Sequence, residues 1–198
     1  MKKAILLTAI FMLAAGLNAR VSFAQSSKSQ NPTIASVLDH QLSNSEREFT
    51  ELAEAMPADK YDFAPTSGNF KGVRTFGEQV RHVASFNYLF YTAILGEKPP
   101  AGSGGEGPDT VKTKDQILKY LKDSFALGHR ALATVNDENL VAVLAHPPIP
   151  GLNTRLGIAE LACVHQNDHF GQMVVYLRMN GMIPPDTAQA QRRAASGK

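Results

Sequence analysis

Cys163-Val164-His165-Gln166-Asn167-Asp168-His169-Phe170-Gly171-Gln172 lies inside a longer segment, Thr154 to Asn180, that reads as an amphipathic helix. Stepping through that segment by three or four residues meets Ile158, Leu161, His165, His169, Gln172 or Met173, and Tyr176, which is one face of a helix. Two imidazoles therefore stand one turn apart, in line with residues that should face a core. Side chains at i and i+4 lie one above the other, so this pair can converge on a single ion. It is not the zincin pattern, because Gln166 occupies the place of that motif's glutamate base.

Working outward, Gly181 caps this helix and Pro184-Pro185 follow it. Upstream, a loop containing HPPIPG (146–151) separates it from a third helix. That helix begins near Thr113, with Gln116 placed to complete a capping box, and continues through Ile117, Leu118, Leu121, Phe125, Leu132 and Val135 to about Asn136. A flexible Gly/Pro linker, KPPAGSGGEGPD (98–109), precedes it. The second helix runs from about Thr75 to Leu95 and is stopped by Gly96 and the prolines beyond. The first starts at Pro32, which suits a first helical turn, and ends at Pro57, with Ile34, Val37, Leu38, Leu42, Phe49, Leu52 and Met56 at helical spacing. Val141, Val143 and Leu144 make at most a short extended piece. The expectation is an all-α protein, a four-helix bundle with long interhelical loops.

The second helix repeats the oddity of the fourth. Thr75, Gln79, His82, Phe86, Leu89 and Ala93 share a face, so His82 is also in line with apolar residues. A lone histidine there would be read as a core residue with a hydrogen-bond partner. Three on the inward faces of two helices must each lose hydration and find a partner, and one divalent cation would satisfy all of them, as in three-ligand zinc sites. Glu78, Asp168 and Gln172 are candidates to stand behind the ligands or to supply a fourth, although Glu78 and Asp168 also read as solvated surface charges. His40 reads as solvated, and His129 and His146 have no evident partner.

The N-terminus reads as a secretory signal: Lys2-Lys3, an uncharged and largely apolar stretch from Ala4 to Leu17, and Ser22-Phe23-Ala24 before the expected cut. That stretch is shorter than the roughly 20 residues a membrane anchor needs. The implied organisation is a cleaved signal at 1–24, a polar leader at 25–31, a helical domain at 32–185 and a disordered tail at 186–198. The expected location is periplasmic or secreted, with no stable membrane span after cleavage. Cleavage would remove three of the 20 bases and none of the 18 acids, so a net charge of +2 becomes −1. Such a body lacks the clustered cations that nucleic acid requires. The small-molecule ligand is unspecified and a homodimer is left open. The single cysteine, Cys163, allows no intramolecular disulfide and reads as a small buried hydrophobe.

TFGEQVRHVASFNYLFYTAILG (75–96), HQNDHFGQMVVYLRMNGMIPP (165–185) and the YDFAPTSG turn (61–68) together resemble the DinB/YfiT-like family of metalloenzymes. The resemblance implies a four-helix bundle in which His82, His165 and His169 bind one divalent metal ion, zinc or nickel. Two features depart from it. One is the export signal; the other is the long insert GEKPPAGSGGEGP (96–108), which is placed to cover or line the site mouth. Relatives include cytosolic transferases that use low-molecular-weight thiols, and an oxidising exterior is a poor place to keep such a co-substrate reduced. The functional expectation is a metal-dependent hydrolase activating water. A non-catalytic metal or ligand binder and a thiol-dependent transferase are the alternatives.

Overall fold

Threonine opens each of the four long helices. Thr33, Thr75, Thr113 and Thr154 are N-caps whose hydroxyls accept the backbone N–H of Ser36, Glu78, Gln116 and Gly157, satisfying donors that the first turn leaves without intrahelical partners. The computed structural model describes residues 31–197. The expected signal and all but the last residue of the polar leader lie outside them. The helices are α1 (Ile34–Ala55), α2 (Phe76–Leu95), α3 (Lys114–Leu132), α4 (Arg155–Met179) and α5 (Pro185–Ala195). Among the described residues there is no strand, only isolated bridges such as Val143 with Thr154, and no helix is long and apolar enough to cross a membrane.

The fold is all-α. α1 packs on α3 and α4, and α2 packs on the same two, so the four long helices surround one core. Leu42, Phe49, Leu52, Phe76, Phe125 and Ile158 are among its fully buried members; each such side chain contributes roughly 1.5–3 kcal/mol by leaving water. Gly128 permits a close approach between helices, since a Cβ there would lie 2.7 Å from Tyr91 and 2.8 Å from Leu42. A chain of buried amide and hydroxyl groups links three of the helices. Gln166 of α4 donates to Asn87 Oδ1 at 2.9 Å, and Asn87 donates to Ser124 Oγ of α3 at 3.1 Å. Gln166 is thus turned into the bundle centre, committed to holding three helices together.

The turn at 61–68 positions the start of α2. Phe76 and Gly77 donate their backbone N–H groups to the carbonyls of Phe63 and Tyr61, while Tyr61 anchors the turn by donating its hydroxyl to Ala53 O at 2.7 Å. At the far end of α2, Gly96 takes φ +70°, and Glu97 N–H reaches back to Thr92 O, ending the helix in the left-handed manner glycine allows.

Several expectations need correction. Residues 185–195 form α5, whereas composition suggested a disordered tail from 186. Pro185 at the helix start, Asp186 in the first turn and Arg192-Arg193 in the last suit a helix, although none of its residues is buried. Polarity governed burial there, and local propensity governed helicity. α3 stops at Leu132, short of Asn136, because Val135 N–H bonds Leu132 O in a turn. Pro32 precedes the capping residue Thr33 and lies outside the helix.

Candidate metal centre

Capping and core packing fix the rotation of α2 and α4, and that rotation brings His82, His165 and His169 together. One ring nitrogen from each falls within 4.8 Å of the others. His82 and His169 are buried and His165 is half-buried. The ring centroids are 4.6–5.1 Å apart. Phe86 packs against both His82 and His165, at 4.7 and 4.8 Å, and Phe90 meets His165 edge-on, which makes the inner wall apolar.

Hydrogen-bond partners assign the tautomers of two rings. His82 Nδ1 lies 3.1 Å from Gly105 O, a pure acceptor, so Nδ1 donates and Nε2 keeps its lone pair. His169 Nδ1 similarly donates to Gln79 Oε1 at 2.5 Å. His165 Nδ1 is buried without a partner, while its Nε2 sits 3.2 Å from His82 Nε2. Two nitrogens bound tetrahedrally at about 2.0–2.1 Å to one ion would be about 3.3 Å apart. The donor set therefore fits a divalent cation: neutral imidazoles, two of them oriented from behind through Nδ1, with the His82 and His165 nitrogens already at ligand-to-ligand spacing.

Burial is the main reason that all three imidazoles stay neutral. It pulls His165 down to about 3, with help from His169, His82 and Arg74, and His169 down to about 4, with help from His82 and Arg74. His82 is lowered by burial and then by Arg74, against a smaller opposing pull from Glu106.

The other candidates separate on inspection. Glu78 accepts the backbone N–H of Thr75 at 2.8 Å, completing the capping box of α2. Gln172 and Asp168 are exposed but connected to the cluster in series: Gln79 donates to Gln172 Oε1 at 3.0 Å, and Gln172 donates to Asp168 Oδ2 at 2.9 Å. His40 and His146 are exposed. His129, expected to lack partners, is held between Asp39 at 2.6 Å and Glu46 at 2.9 Å, an α1–α3 contact invisible to sequence spacing. Sequence reasoning missed the roles of Gln79, Gly105, Glu106 and Arg74. Gln79 carried a signal, since it shares the His82 stripe; the other three come from loops.

A polar cavity of about 420 Å³ opens outside the cluster, lined by Arg74, Glu78, Gln79, Glu106 and Gln172 together with Gly72 and Val73. Glu106 receives a bidentate bond from Arg74 at 2.6–3.0 Å, and this bond holds its carboxyl below the usual range.

Residues 41–173 match the family model of the DinB superfamily. The chain belongs to the DinB superfamily. Solved structures agree on the fold. A DinB-like protein from Bacillus cereus superposes with a TM-score of 0.61 at 16% identity, covering 77% of this chain and 96% of that one. A conserved protein from Enterococcus faecalis gives 0.58 at 18% identity, covering 75% and 97%. No curated protein matches. The DinB-superfamily core as matched contains His82, His165 and His169 and every lining residue of the polar cavity.

Proposed function

We propose that this DinB-superfamily protein is an exported metal-dependent hydrolase that holds one divalent cation, zinc or nickel, through Nε2 of His82, His165 and His169. The observation that carries this reading is the convergence of a ring nitrogen from each of three histidines within 4.8 Å. A cation held by three nitrogens supplies Lewis acidity and lowers the pKa of water toward neutrality, with room left for substrate. The chain's own residues do the rest. Gly105 O and Gln79 Oε1 fix which nitrogen of His82 and His169 is free. Phe86 and Phe90 keep the inner side of the cluster dry, and Arg74, Gln79 and Gln172 present polar groups to a substrate in the outer cavity. The extracytoplasmic address favours hydrolysis over thiol transfer.

A second reading, metal binding without turnover, draws support from the carboxylates. Glu78 is committed to a helix cap and Asp168 to Gln172, so neither stands ready as a general base.

Metal analysis of protein purified without an affinity tag, followed by ester, amide and phosphoester substrates, tests both. His82→Ala, His165→Ala and His169→Ala should each lose most of the metal, and His40→Ala should retain it; equal occupancy in all four would refute the site. Hydrolysis that chelators and His165→Ala abolish supports the enzyme. Turnover that requires an added low-molecular-weight thiol would replace hydrolase by transferase, and metal binding with no turnover would leave the binding protein.

A further inference from the structure

The glycine-rich segment between α2 and α3, residues 97–112, reads from sequence as a flexible linker, yet it is pinned at several points. Ser85, fully buried on α2, donates its hydroxyl to Gly102 O at 2.8 Å and accepts the N–H of Gly105 at 3.1 Å. A serine inside a helix commonly bonds back to its own preceding turn; this one is spent on another segment. Gly104 N–H bonds Ser85 O. Gly104 has φ +78°, and a Cβ there would lie 2.7 Å from Leu89 Cδ2. At the other side of the crossing, Glu106 is gripped by Arg74. Between these two anchors lies the Gly105 carbonyl that accepts from His82 Nδ1, and the Glu106 carboxylate is 3.6 Å from the same nitrogen.

We propose that residues 97–112 form a strap that positions His82 for the cation, with Ser85 and the Arg74–Glu106 pair as positioning residues. This rests on the three-histidine metal reading. A carbonyl or carboxylate behind Nδ1 fixes the tautomer and ring orientation, raises the basicity of Nε2, and typically changes metal affinity by about 10–100-fold when lost. Linkage makes the effect reciprocal: a cation that needs His82 in this orientation also favours the closed strap. Gly104 and Gly107 let the strap cross α2 closely, since a Cβ on Gly107 would lie 2.8 Å from Arg81 Cγ.

The test measures zinc affinity of the full chain by chelator competition, and proteolytic cleavage within 97–112 with and without zinc. Ser85→Ala and Glu106→Gln should each weaken zinc by about 10–100-fold, and zinc should protect the strap in the wild type but little in either variant. Ser85→Thr, which keeps the hydroxyl, should recover most of the affinity. Glu106 is exposed, so Glu106→Gln reports even if the buried serine variant folds poorly. If the wild type takes up no zinc, the metal reading fails and the strap with it. If the wild type binds zinc and Glu106→Gln and folded Ser85→Ala bind it equally well, the strap proposal alone is overturned.

Discussion

At the scale of single residues, neighbours decide what each histidine is. The six histidines of this chain divide into three that burial keeps neutral, one held by two carboxylates and two exposed to solvent. In the cluster the folded pKa values lie below the ordinary 6.5. Without metal, the cluster's contribution to folding stability is therefore complete above about pH 6.5 and is lost as pH falls toward the folded values near 4 and 3. With metal, proton competition should be weak at mild acidity. Metal retained on equilibrium dialysis should change little from pH 7 to about pH 5.5 and fall toward about pH 4; loss already complete at pH 6 would show ordinary imidazoles. His129 behaves in the opposite sense. Burial lowers it, but the hydrogen bonds and charges of Asp39 and Glu46 outweigh burial and raise it. Its stabilisation is present below about pH 6.5 and lost as pH rises through the raised folded value. Urea denaturation should find His129→Gln less stable than wild type by up to about 1 kcal/mol at pH 5.5, with the difference shrinking at pH 9. A difference that does not depend on pH would refute the charged-imidazole reading.

At the scale of elements, caps and turns aim the faces that carry the site. The Thr75–Glu78 capping box sets where α2 begins, and the 61–68 turn holds that end by backbone bonds from Phe76 and Gly77. Glu78 lines the outer cavity, but its bond is to its own helix. Glu78→Ala should accordingly cost about 0.3–1.5 kcal/mol in denaturation while metal content stays unchanged; a large fall in metal would instead make Glu78 part of the site. The capping box at Thr113–Gln116 was legible in the sequence because both partners are local. The helix at 185–195 was not, because the low apolar content of its sequence says that it stays on the surface and says nothing against a hydrogen-bonded backbone.

In the whole molecule the cluster, the strap and the polar cavity lie together, so chemistry there depends on two connections, the loop before α2 and the strap, as well as on two helices. The address of the protein belongs to this scale too. The Lys2-Lys3 start, the stretch to Leu17 and Ser22-Phe23-Ala24 argue that the mature chain begins at Gln25. Mass spectrometry of protein from the native cell envelope should find that terminus; intact residues 1–24 would remove the case for an extracytoplasmic enzyme and reopen thiol transfer.

Four long helices, starts near residues 75, 113 and 154, the cap at Thr113 and the inward stripe that carries His82, His165 and His169 were all legible in the sequence. These depend on helical periodicity and on partners three or four residues apart, which one chain of letters displays directly. Packing alone puts Gln79 behind His169, Gly105 and Glu106 behind His82, and His129 between Asp39 and Glu46. Those partners are separated by 23 to 90 residues or meet through an irregular loop. Hydrogen bonds of that kind have no period along the sequence, since the packing of helices and the path of the connections bring their two ends together.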